Sequence, residues 1–441
     1  MRVGAHHVDL RRLAFFLGEG MLWWLAFAAT MLGVAAVTGR GELGQAWLQG
    51  CWAVAALELG FYLMDLHDLR AAVTDTQVGG QRAYRGMGMA VMLLGLFLGL
   101  GILRMPATEG LAGLGAAVVM ALVLRAALPG LERRLALRQR VFLVGEGRTA
   151  RCLAREIASD DGAEVVGFGG LRTKRLAEQA ISAGASTIVV ATDDRRGLPT
   201  VELLRCRTMG LEVVEGATLA ARVLHRLPVE LVRPADLIYQ DGFAQPAWVM
   251  RGRRVLSLMA TLVLSLLVLP LALLAALAIR LDSPGPIFFR QRRVGRNGRP
   301  FEMVKFRTMS VDAERRGAQW AQKDDPRITR VGRHLRRFRI DELPQLWNVL
   351  KGEMDLVGPR PERPEFVEQL RRRIPFYDLR HLVAPGITGY AQVKYPYAAS
   401  VEEAKEKLQY DLYYVRHLSI LLDIYVLLLT ARVVLFGRGA R

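Results

Sequence analysis

The chain has 441 residues, 52% of them hydrophobic, and its 60 Lys and Arg residues against 42 Asp and Glu give a formal net charge of +18. This length allows two or three domains, and the basic balance suits either nucleic acid or an anionic membrane surface. Long apolar runs favour the membrane, and no recognition-helix pattern or aromatic-and-basic RNA motif supports nucleic acid, so no nucleic-acid partner is expected. Cys51, Cys152 and Cys206 lack metal-ligand spacing, which is typical of reduced structural residues in a cytosol-facing protein.

Residues 1–135 contain four apolar runs, each near the length needed to cross a bilayer, and predict a four-helix transmembrane bundle. The runs cover residues 13–37, 46–64, 86–103 and 111–128. Glu19 and Glu58 interrupt two of them, where a buried polar contact between helices is favoured over a proton relay. Arginines concentrate before the first run, between the second and third, and after the fourth. The positive-inside rule therefore predicts a multi-pass membrane protein, with the N-terminus and everything after residue 128 on the cytoplasmic face.

Residues 136–230 alternate strands with helices and predict a small Rossmann-like α/β domain. Strands are expected at residues 141–144, 164–168, 187–191 and 211–214, with helices through 157 and at 171–183 and 200–209. A glycine turn, Gly145-Glu146-Gly147, follows the first strand, as in dinucleotide-binding proteins. The second strand ends in Gly169-Gly170, with no acidic residue to hold a ribose. A structural or regulatory module is favoured over a working NAD site.

A polar linker at residues 231–250 leads into a membrane helix predicted over residues 254–281, which is long enough to span. Arginines flank both of its ends, which favours both ends on the cytoplasmic face. Pro270 lies in the middle of this run, where its ring and missing N–H would bend a helix. We therefore predict a re-entrant helix that enters the membrane, breaks at Pro270 and returns. A proline-kinked spanning helix is the alternative.

Three further stretches of the C-terminal half have readable patterns. Residues 288–306 are basic, and Gly295, Asn297 and Gly298 predict a hairpin or loop within them. Four arginines, Arg330, Arg333, Arg336 and Arg337, recur at helical spacing and suit anionic headgroups or phosphate. Residues 418–436 are apolar but carry Asp423 and Arg432, which predicts a helix lying in the membrane interface.

Asp341 and Glu342 stand side by side where a helix is expected to begin, since apolar residues follow them at helical spacing. Amides at a helix N-terminus attract phosphate, and basic residues crowd the approach to this pair. Two such carboxylates suit phosphoryl transfer, in which one attacks phosphorus and the other holds a divalent cation. The spacing alone is also compatible with an acidic N-cap among solvated arginines.

Four motifs resemble those of the bacterial sugar transferase family, and the likeness covers residues 251–441. They are KFRTM at 305–309, DELPQ at 341–345, GPRP at 358–361 and PGITGYAQV at 385–393. The family consists of membrane phosphoglycosyl transferases, which load sugar-1-phosphate from a nucleotide sugar onto polyprenyl phosphate. The chain departs from it twice. Leu269 replaces the usual Ser before Pro270. KYPY at 394–397 stands where many members have Asn-Gly, and this variant resembles the exopolysaccharide branch associated with exosortase systems.

The resemblance implies transfer of sugar-1-phosphate from a UDP-sugar to polyprenyl (undecaprenyl) phosphate, with release of UMP, as the initiating step of exopolysaccharide biosynthesis. It implies Asp341 as the nucleophile of a covalent intermediate, Glu342 as a Mg²⁺ ligand and Pro270 as the break in the re-entrant helix. Substrate phosphate and nucleotide are expected to be bound by Lys305, Arg307, Arg336, Arg360 and Pro361. It also implies a place in the bacterial inner (cytoplasmic) membrane. A homodimer is left open.

Two other functions remain as alternatives. A membrane-tethered nucleotide-sugar oxidoreductase would need a complete cofactor fingerprint with a Tyr/Lys pair. A non-enzymatic scaffold of a polysaccharide assembly system would tolerate substitution of Asp341. The predicted architecture is a membrane protein of α and α/β class: a four-helix bundle, a Rossmann-like domain and a transferase domain on a re-entrant helix.

Overall fold

The computed structural model describes residues 139–158, 163–194, 196–234, 245–311, 325–395 and 400–436, with residues 237, 242, 243 and 313 and isolated positions before 139. The four predicted transmembrane helices, including Glu19 and Glu58, lie outside the described residues apart from scattered positions, and they stay a prediction. Near the N-terminus, the short strands Arg2–Val3 and His6–His7 pair antiparallel. The chain divides into two compact units, Met1–Gln139 and Arg140–Arg441, and the second holds the features that follow.

The second unit begins with a four-stranded α/β sheet, as the alternating pattern predicted. Its elements are β1 (Gln139–Val144), α1 (Arg148–Ala158), β2 (Ala163–Gly169), α2 (Leu176–Ser182), β3 (Thr187–Val190), α3 (Thr200–Thr208), β4 (Glu212–Glu215) and α4 (Gly216–Leu224). The strand order is β2-β1-β3-β4, and β3 lies parallel to both of its neighbours. Successive residues of β1 enter opposite cores, since Val141 and Leu143 pack in one cluster and Phe142 and Val144 in another.

The glycine turn after β1 holds a side chain of the protein itself. Gly145 and Gly147 have φ of 144° and 105°, a region that favours glycine. The amides that open α1, from Arg148 and Thr149, donate to the Asp193 carboxylate at 2.9 and 3.0 Å, and the Thr149 hydroxyl donates to it as well. These bonds, with the hydroxyl first, lower the pKa of Asp193. A carboxylate therefore occupies the place where a dinucleotide phosphate would bind, which favours the structural interpretation of this turn.

A helix of 36 residues, α5 (Ala247–Asp282), follows, beginning seven residues before the predicted start and continuing through Pro270. Among the described residues it is the helix long and apolar enough to cross a membrane, with a mean hydropathy of 2.9 in its most apolar window. Its middle presents leucines outward, Leu266 and Leu267 being 74% and 71% exposed. Exposed apolar surface of this extent marks a site for membrane or partner contact.

The rest of the unit is built around a basic hairpin of β5 (Phe288–Val294) and β6 (Pro300–Phe306), which confirms the hairpin prediction. Asn297 and Gly298 both have positive φ in its turn. The later elements are α6 (Arg330–Arg337), α7 (Gln345–Lys351), β7 (Asp355–Val357), α8 (Pro364–Arg373), β8 (Gly386–Thr388), α9 (Tyr390–Lys394), α10 (Val401–Arg416) and α11 (Ile420–Phe436). The arginine spacing over α6 is thus helical, as predicted. Strands β7 and β8 pair parallel.

One hydrophobic cluster runs from the sheet into the C-terminal helices. It includes Leu143 of β1, Leu227 and Leu231 beyond α4, and Leu412 of α10. The residues after α4 are tied to α10 by polar contacts too, because the Leu227 amide donates to the Gln409 carbonyl at 3.0 Å. The sheet and the C-terminal helices accordingly share a core within the second unit.

Candidate active site

Asp341 and Glu342 lie in a single 3₁₀ turn, Ile340–Glu342, between α6 and α7. Arg339 before it adopts the left-handed conformation, with φ of 55°, which turns the chain out of α6. Both carboxylates are buried, with relative exposures of 9% and 8%. The helix itself starts three residues after Glu342, at Gln345. The carboxylates therefore precede α7 and do not belong to its first turn.

The expected free amides at this helix start are already bonded. The amides of Leu346 and Trp347 donate to the carbonyls of Leu343 and Pro344, each at 3.1 Å. These two backbone donors of α7 are thus not free for an anion, although the sequence pattern had suggested free amides here. The positive charge at the site comes from side chains.

Glu342 is surrounded by three cations. Its Oε1 accepts from Arg360 Nη2 at 2.9 Å and lies 3.4 Å from Lys305 Nζ, while its Oε2 lies 3.5 Å from Arg339 Nη1. Burial alone would raise the pKa of Glu342, but Arg360, Lys305 and Arg339 together outweigh it and hold the pKa well below its ordinary value. Glu342 is therefore ionised throughout the physiological range.

Asp341 is in the opposite situation. Burial and the neighbouring Glu342 charge raise the pKa of Asp341, and Lys305, Arg336 and Arg360 only partly offset them. A carboxylate whose anionic form is poorly stabilised binds an electrophile more strongly than a fully paired one does. Two adjacent carboxyl groups with divergent pKa values are the arrangement expected when each has a different chemical role.

Two segments bring the cations to this turn. Lys305 comes from β6 and Arg360 from the segment after β7. Burial lowers the pKa of Lys305, with Arg360 adding to the effect and Glu342 opposing it, whereas Glu342 raises the pKa of Arg360. Asn348 locks α7 to β6, since its Oδ1 accepts from the Val304 amide at 3.0 Å and its Nδ2 donates to the Glu302 carbonyl at 2.7 Å.

The other three residues predicted to bind substrate, Arg336, Arg307 and Pro361, differ in their contacts. Arg336, on α6, is half-buried and near enough to Asp341 to lower its pKa. Arg307 is buried, and its guanidinium donates to the Pro284 and Ser283 carbonyls at 2.7 and 2.8 Å, so its visible contacts secure the end of α5. The Pro361 carbonyl accepts from Arg293 at 3.1 Å. Roles for Arg307 and Pro361 in binding substrate stay predictions.

Comparison with known proteins agrees with the motifs. The family model for bacterial sugar transferases matches residues 248–437. A UDP-N-acetylgalactosamine-undecaprenyl-phosphate N-acetylgalactosaminephosphotransferase of Aeromonas hydrophila is 48% identical over 195 residues, 44% of this chain and 45% of the relative. An undecaprenyl-phosphate glucose phosphotransferase of Komagataeibacter xylinus is 36% identical over 331 residues, 71% of this chain and 62% of the relative. A UDP-glucose:undecaprenyl-phosphate glucose-1-phosphate transferase of Caulobacter vibrioides is 45% identical over 180 residues, 40% of this chain and 67% of the relative.

The chain belongs to the bacterial sugar transferase family. It spans 45% and 62% of the first two relatives, which leaves parts of both outside the comparison. The matched region contains Asp341, Glu342 and every cation described around them. The α/β sheet of β1–β4 lies before the residues that the family model matches.

Two polar groups of this family member were not singled out from the sequence. Arg339 is the third cation against Glu342, three residues before it. Gln345 is 2% exposed, and its Nε2 has no acceptor within the described part of the chain. A buried amide without a partner is costly, so this donor would be stabilised by an acceptor brought to the site. The Gln in the DELPQ motif was the signal that could have found it.

Mg²⁺ would find oxygen ligands of the right type at Asp341 and Glu342. The described residues contain no group of three or more His, Cys, Asp or Glu side chains that could hold a metal alone. Mg²⁺ is commonly bound through one or two carboxylates together with substrate phosphates. The pair therefore fits an ion that shares its ligands with a diphosphate. Glu342 Oε1 already contacts Arg360 and Lys305, whereas its Oε2 lies 3.5 Å from Arg339.

Proposed function

We propose that this protein transfers a sugar-1-phosphate from a UDP-sugar to undecaprenyl phosphate and releases UMP. This reaction would be the first step of exopolysaccharide biosynthesis. The observation that carries the proposal is the buried Asp341–Glu342 pair, in which one carboxyl has a raised pKa and the other a lowered pKa among Lys305 and Arg360. The relatives named above act on undecaprenyl phosphate, which supports the same lipid acceptor here.

Asp341 is the proposed nucleophile. Its carboxylate oxygen attacks the sugar-bearing β-phosphorus, the bond from that phosphorus to the oxygen of UMP breaks, and UMP leaves with the electron pair. A phosphate oxygen of undecaprenyl phosphate then attacks the same phosphorus and releases the Asp341 carboxylate. Lys305 and Arg360 neutralise charge as it moves toward the leaving phosphate. Glu342 stays anionic and would hold Mg²⁺, which when bound neutralises phosphate charge.

The two ends of α5 support a re-entrant position in the membrane. On one side, Arg254 donates to the Met354 carbonyl at 2.8 Å, and the Leu356 amide donates to Ser257 at 2.9 Å. On the other, Ala275 and Ile279 pack on Phe306 and Leu335. In a straight helix, Arg254 and Ile279 would be about 37 Å apart, at 1.5 Å per residue.

Both ends of α5 therefore meet the same domain, although apolar surface separates them. The helix is continuous through Pro270, and a bend there would return it to the face that it entered. This arrangement would keep the undecaprenyl tail in lipid while its phosphate reaches Asp341 from the bilayer surface. UDP-sugar would approach from the cytoplasm, in agreement with the charge pattern of the chain.

An oxidoreductase is less well supported. The turn that would bind a dinucleotide holds the Asp193 carboxylate, and a Cβ at Gly147 would come within 2.3 Å of Asp193 Oδ2. The sugar itself is left open, because the named relatives use N-acetylgalactosamine or glucose.

A test uses the purified full chain in detergent with undecaprenyl phosphate, Mg²⁺ and a panel of UDP-sugars that includes UDP-glucose and UDP-N-acetylgalactosamine. UMP should be released with at least one sugar, and only when the protein is present. Intact mass spectrometry after UDP-sugar alone should show a sugar-phosphate adduct. Absence of UMP with every sugar, from protein whose unfolding transition shows it to be folded, would refute the proposal.

A further inference from the structure

The segment 357–360, which carries Arg360, is held at both ends by buried side chains of the same composition. Each end contacts a cluster of one Arg, one Asp and one Tyr. In each cluster the arginine pairs with the aspartate and also donates to a backbone carbonyl of the segment. Neither aspartate lies in a motif of the family resemblance.

The first cluster holds the end of the segment. Arg380 and Asp411 are 4% and 2% exposed. Arg380 Nε and Nη2 lie 3.1 and 2.8 Å from Asp411 Oδ2, and Nη1 donates to the Tyr377 hydroxyl at 2.8 Å. The same Nη2 donates to the Arg360 carbonyl at 3.0 Å. All three nitrogens of this guanidinium are thereby committed to protein atoms.

The second cluster holds the start of the segment. Arg253, 3% exposed, donates to Asp423 at 2.7 and 3.2 Å and lies 3.4 Å from the Val357 carbonyl. The Tyr414 hydroxyl, with one proton to donate, lies 2.7 Å from Asp423 Oδ1 and 3.1 Å from the Val357 carbonyl. Arg253 lies near the N-terminal end of α5. Tyr414 comes from α10 and Asp423 from α11.

The middle of the segment is fixed by backbone bonds to β8. The Gly358 amide donates to the Thr388 carbonyl at 2.9 Å, and the Gly386 amide donates to the Pro359 carbonyl at 3.0 Å. A Cβ at Gly358 would come within 2.4 Å of the Ala384 carbonyl oxygen. Four successive residues therefore have their main chain held, and the Arg360 side chain leaves this rigid base to reach Glu342.

We infer that the two Arg–Asp–Tyr clusters are positioning devices, which fix segment 357–360 so that the Arg360 guanidinium meets Glu342 and a substrate phosphate. The inference rests on the proposed function for its catalytic consequence. Buried ion pairs add little net stability, because desolvation offsets their attraction, so a geometric role accounts better for two of them around one segment. Catalytic groups must be held within about 0.5 Å of their working positions, which requires such support.

Hydrogen exchange tests the positioning without any turnover. Arg380→Lys in the full chain keeps a positive charge beside Asp411 but loses the planar fork that joins Asp411, Tyr377 and the Arg360 carbonyl. Amide exchange in peptides covering residues 357–362 should become about tenfold faster or more. A tenfold increase corresponds to a decrease of about 1.4 kcal/mol in the free energy of local opening.

The matched control is Arg222→Lys. Arg222 of α4 is a half-buried arginine that pairs with a carboxylate, Glu212 of β4, and neither residue belongs to segment 357–360 or to α10. This variant should leave exchange in 357–362 unchanged. If Arg380→Lys does not fold, Tyr377→Phe removes a single hydroxyl from the same cluster and should show a smaller change in the same peptides. Wild-type exchange in those peptides, in a folded variant of either kind, would overturn the inference.

Kinetics test the consequence for Arg360. Arg380→Lys should lower kcat by about tenfold with a smaller change in KM, since the interaction matters most in the transition state. In an Arg360→Lys background the same change should have little further effect, because both substitutions act through one guanidinium. Additive losses would show that Arg380 acts elsewhere. A wild type that releases no UMP would refute the proposed function, while the exchange experiment still decides the positioning role.

Discussion

At the scale of single residues, Asp341 and Glu342 are chain neighbours whose different surroundings give them different chemistry. Asp341→Asn removes the attacking charge and should abolish both UMP release and the mass adduct, a loss on the order of 10⁴ or more. Glu342→Gln keeps the nucleophile but weakens Mg²⁺ binding, so high Mg²⁺ should recover part of the activity. A Mg²⁺ titration of the two variants separates these roles. An active Asp341→Asn, with a wild type that never carries an adduct, would exclude covalent catalysis.

The pH dependence of the reaction should report Asp341. Its anionic form is the reactive one, and its pKa is raised by burial and by Glu342, so kcat/KM should fall with acidification at a higher pH than an ordinary aspartate would give. Arg336 lowers this pKa. Arg336→Gln should therefore move the acid limb further toward neutral pH. Arg333→Gln, an exposed change on the same helix, is the control and should leave the limb in place. If Arg336→Gln leaves the pH at which kcat/KM falls unchanged, the group that titrates there is not Asp341.

The residues of the short motifs lie together in the fold, whereas the sequence patterns around them were less informative. Lys305, Arg360 and the carboxylate pair meet as their motifs indicated. Asp423 was interpreted as a sign of an interfacial helix, yet it is 5% exposed and paired with Arg253. That partner lies 170 positions away in the chain. Helical periodicity reports which face is apolar, and it carries no information about a buried charge whose partner lies on another element.

At the scale of elements, the path of α5 determines on which side of the membrane the transferase region lies. With both ends of the helix on one domain, we expect residues 251 and 292 to lie on the same, cytoplasmic side of the membrane. Single cysteines at these positions, in a chain whose Cys51, Cys152 and Cys206 are replaced, should be labelled from the same side by a membrane-impermeant maleimide. Labelling from opposite sides would replace the re-entrant helix with a spanning one.

Pro270→Ala tests the proposed bend at Pro270. Without the proline, an unbroken apolar helix of this length can span, so part of the population should move position 292 to the opposite face. Leu269→Ala, a change beside it that keeps the proline, should retain the wild-type labelling. Unchanged labelling in Pro270→Ala would show that the contacts at the two ends determine the topology without the proline.

Elements with a strong local pattern were predicted, and elements fixed by distant pairing were not. The hairpin of β5 and β6 follows from its Asn-Gly turn, and α6 from its arginine spacing. Strands β7 and β8 have three residues each and pair across a long connection, so no period could reveal them. Helix α2 starts at Leu176 where the apolar pattern suggested residue 171, because Arg175 adopts a left-handed conformation just before it.

At the scale of the whole molecule, the sheet of β1–β4 shares its core with the transferase region, and none of its described side chains contacts the candidate site. Arg226 joins the two, because it pairs with Glu156 of α1 and with Glu406 of α10. Lys405 of α10 pairs with Glu230 alongside. The same helix carries Asp411, which holds Arg380 and through it segment 357–360. The sheet is thus placed to stabilise the helix on which the site depends.

Arg226→Ala should consequently lower stability more than activity. The substitution removes the Arg226 charge from beside two partly buried carboxylates, and because Glu406 is 39% exposed the loss should be about 1–3 kcal/mol, below the range for fully buried pairs. Arg205→Ala removes a well-exposed ion pair with Glu178 in the same sheet domain and should cost less than about 0.5 kcal/mol. Denaturant unfolding in detergent measures both.

UMP release per folded molecule, below the unfolding transition, should stay within about twofold of wild type for each variant, since neither residue touches the site. A folded Arg226→Ala that has lost most of its turnover would instead show that the sheet acts on the chemistry through α10.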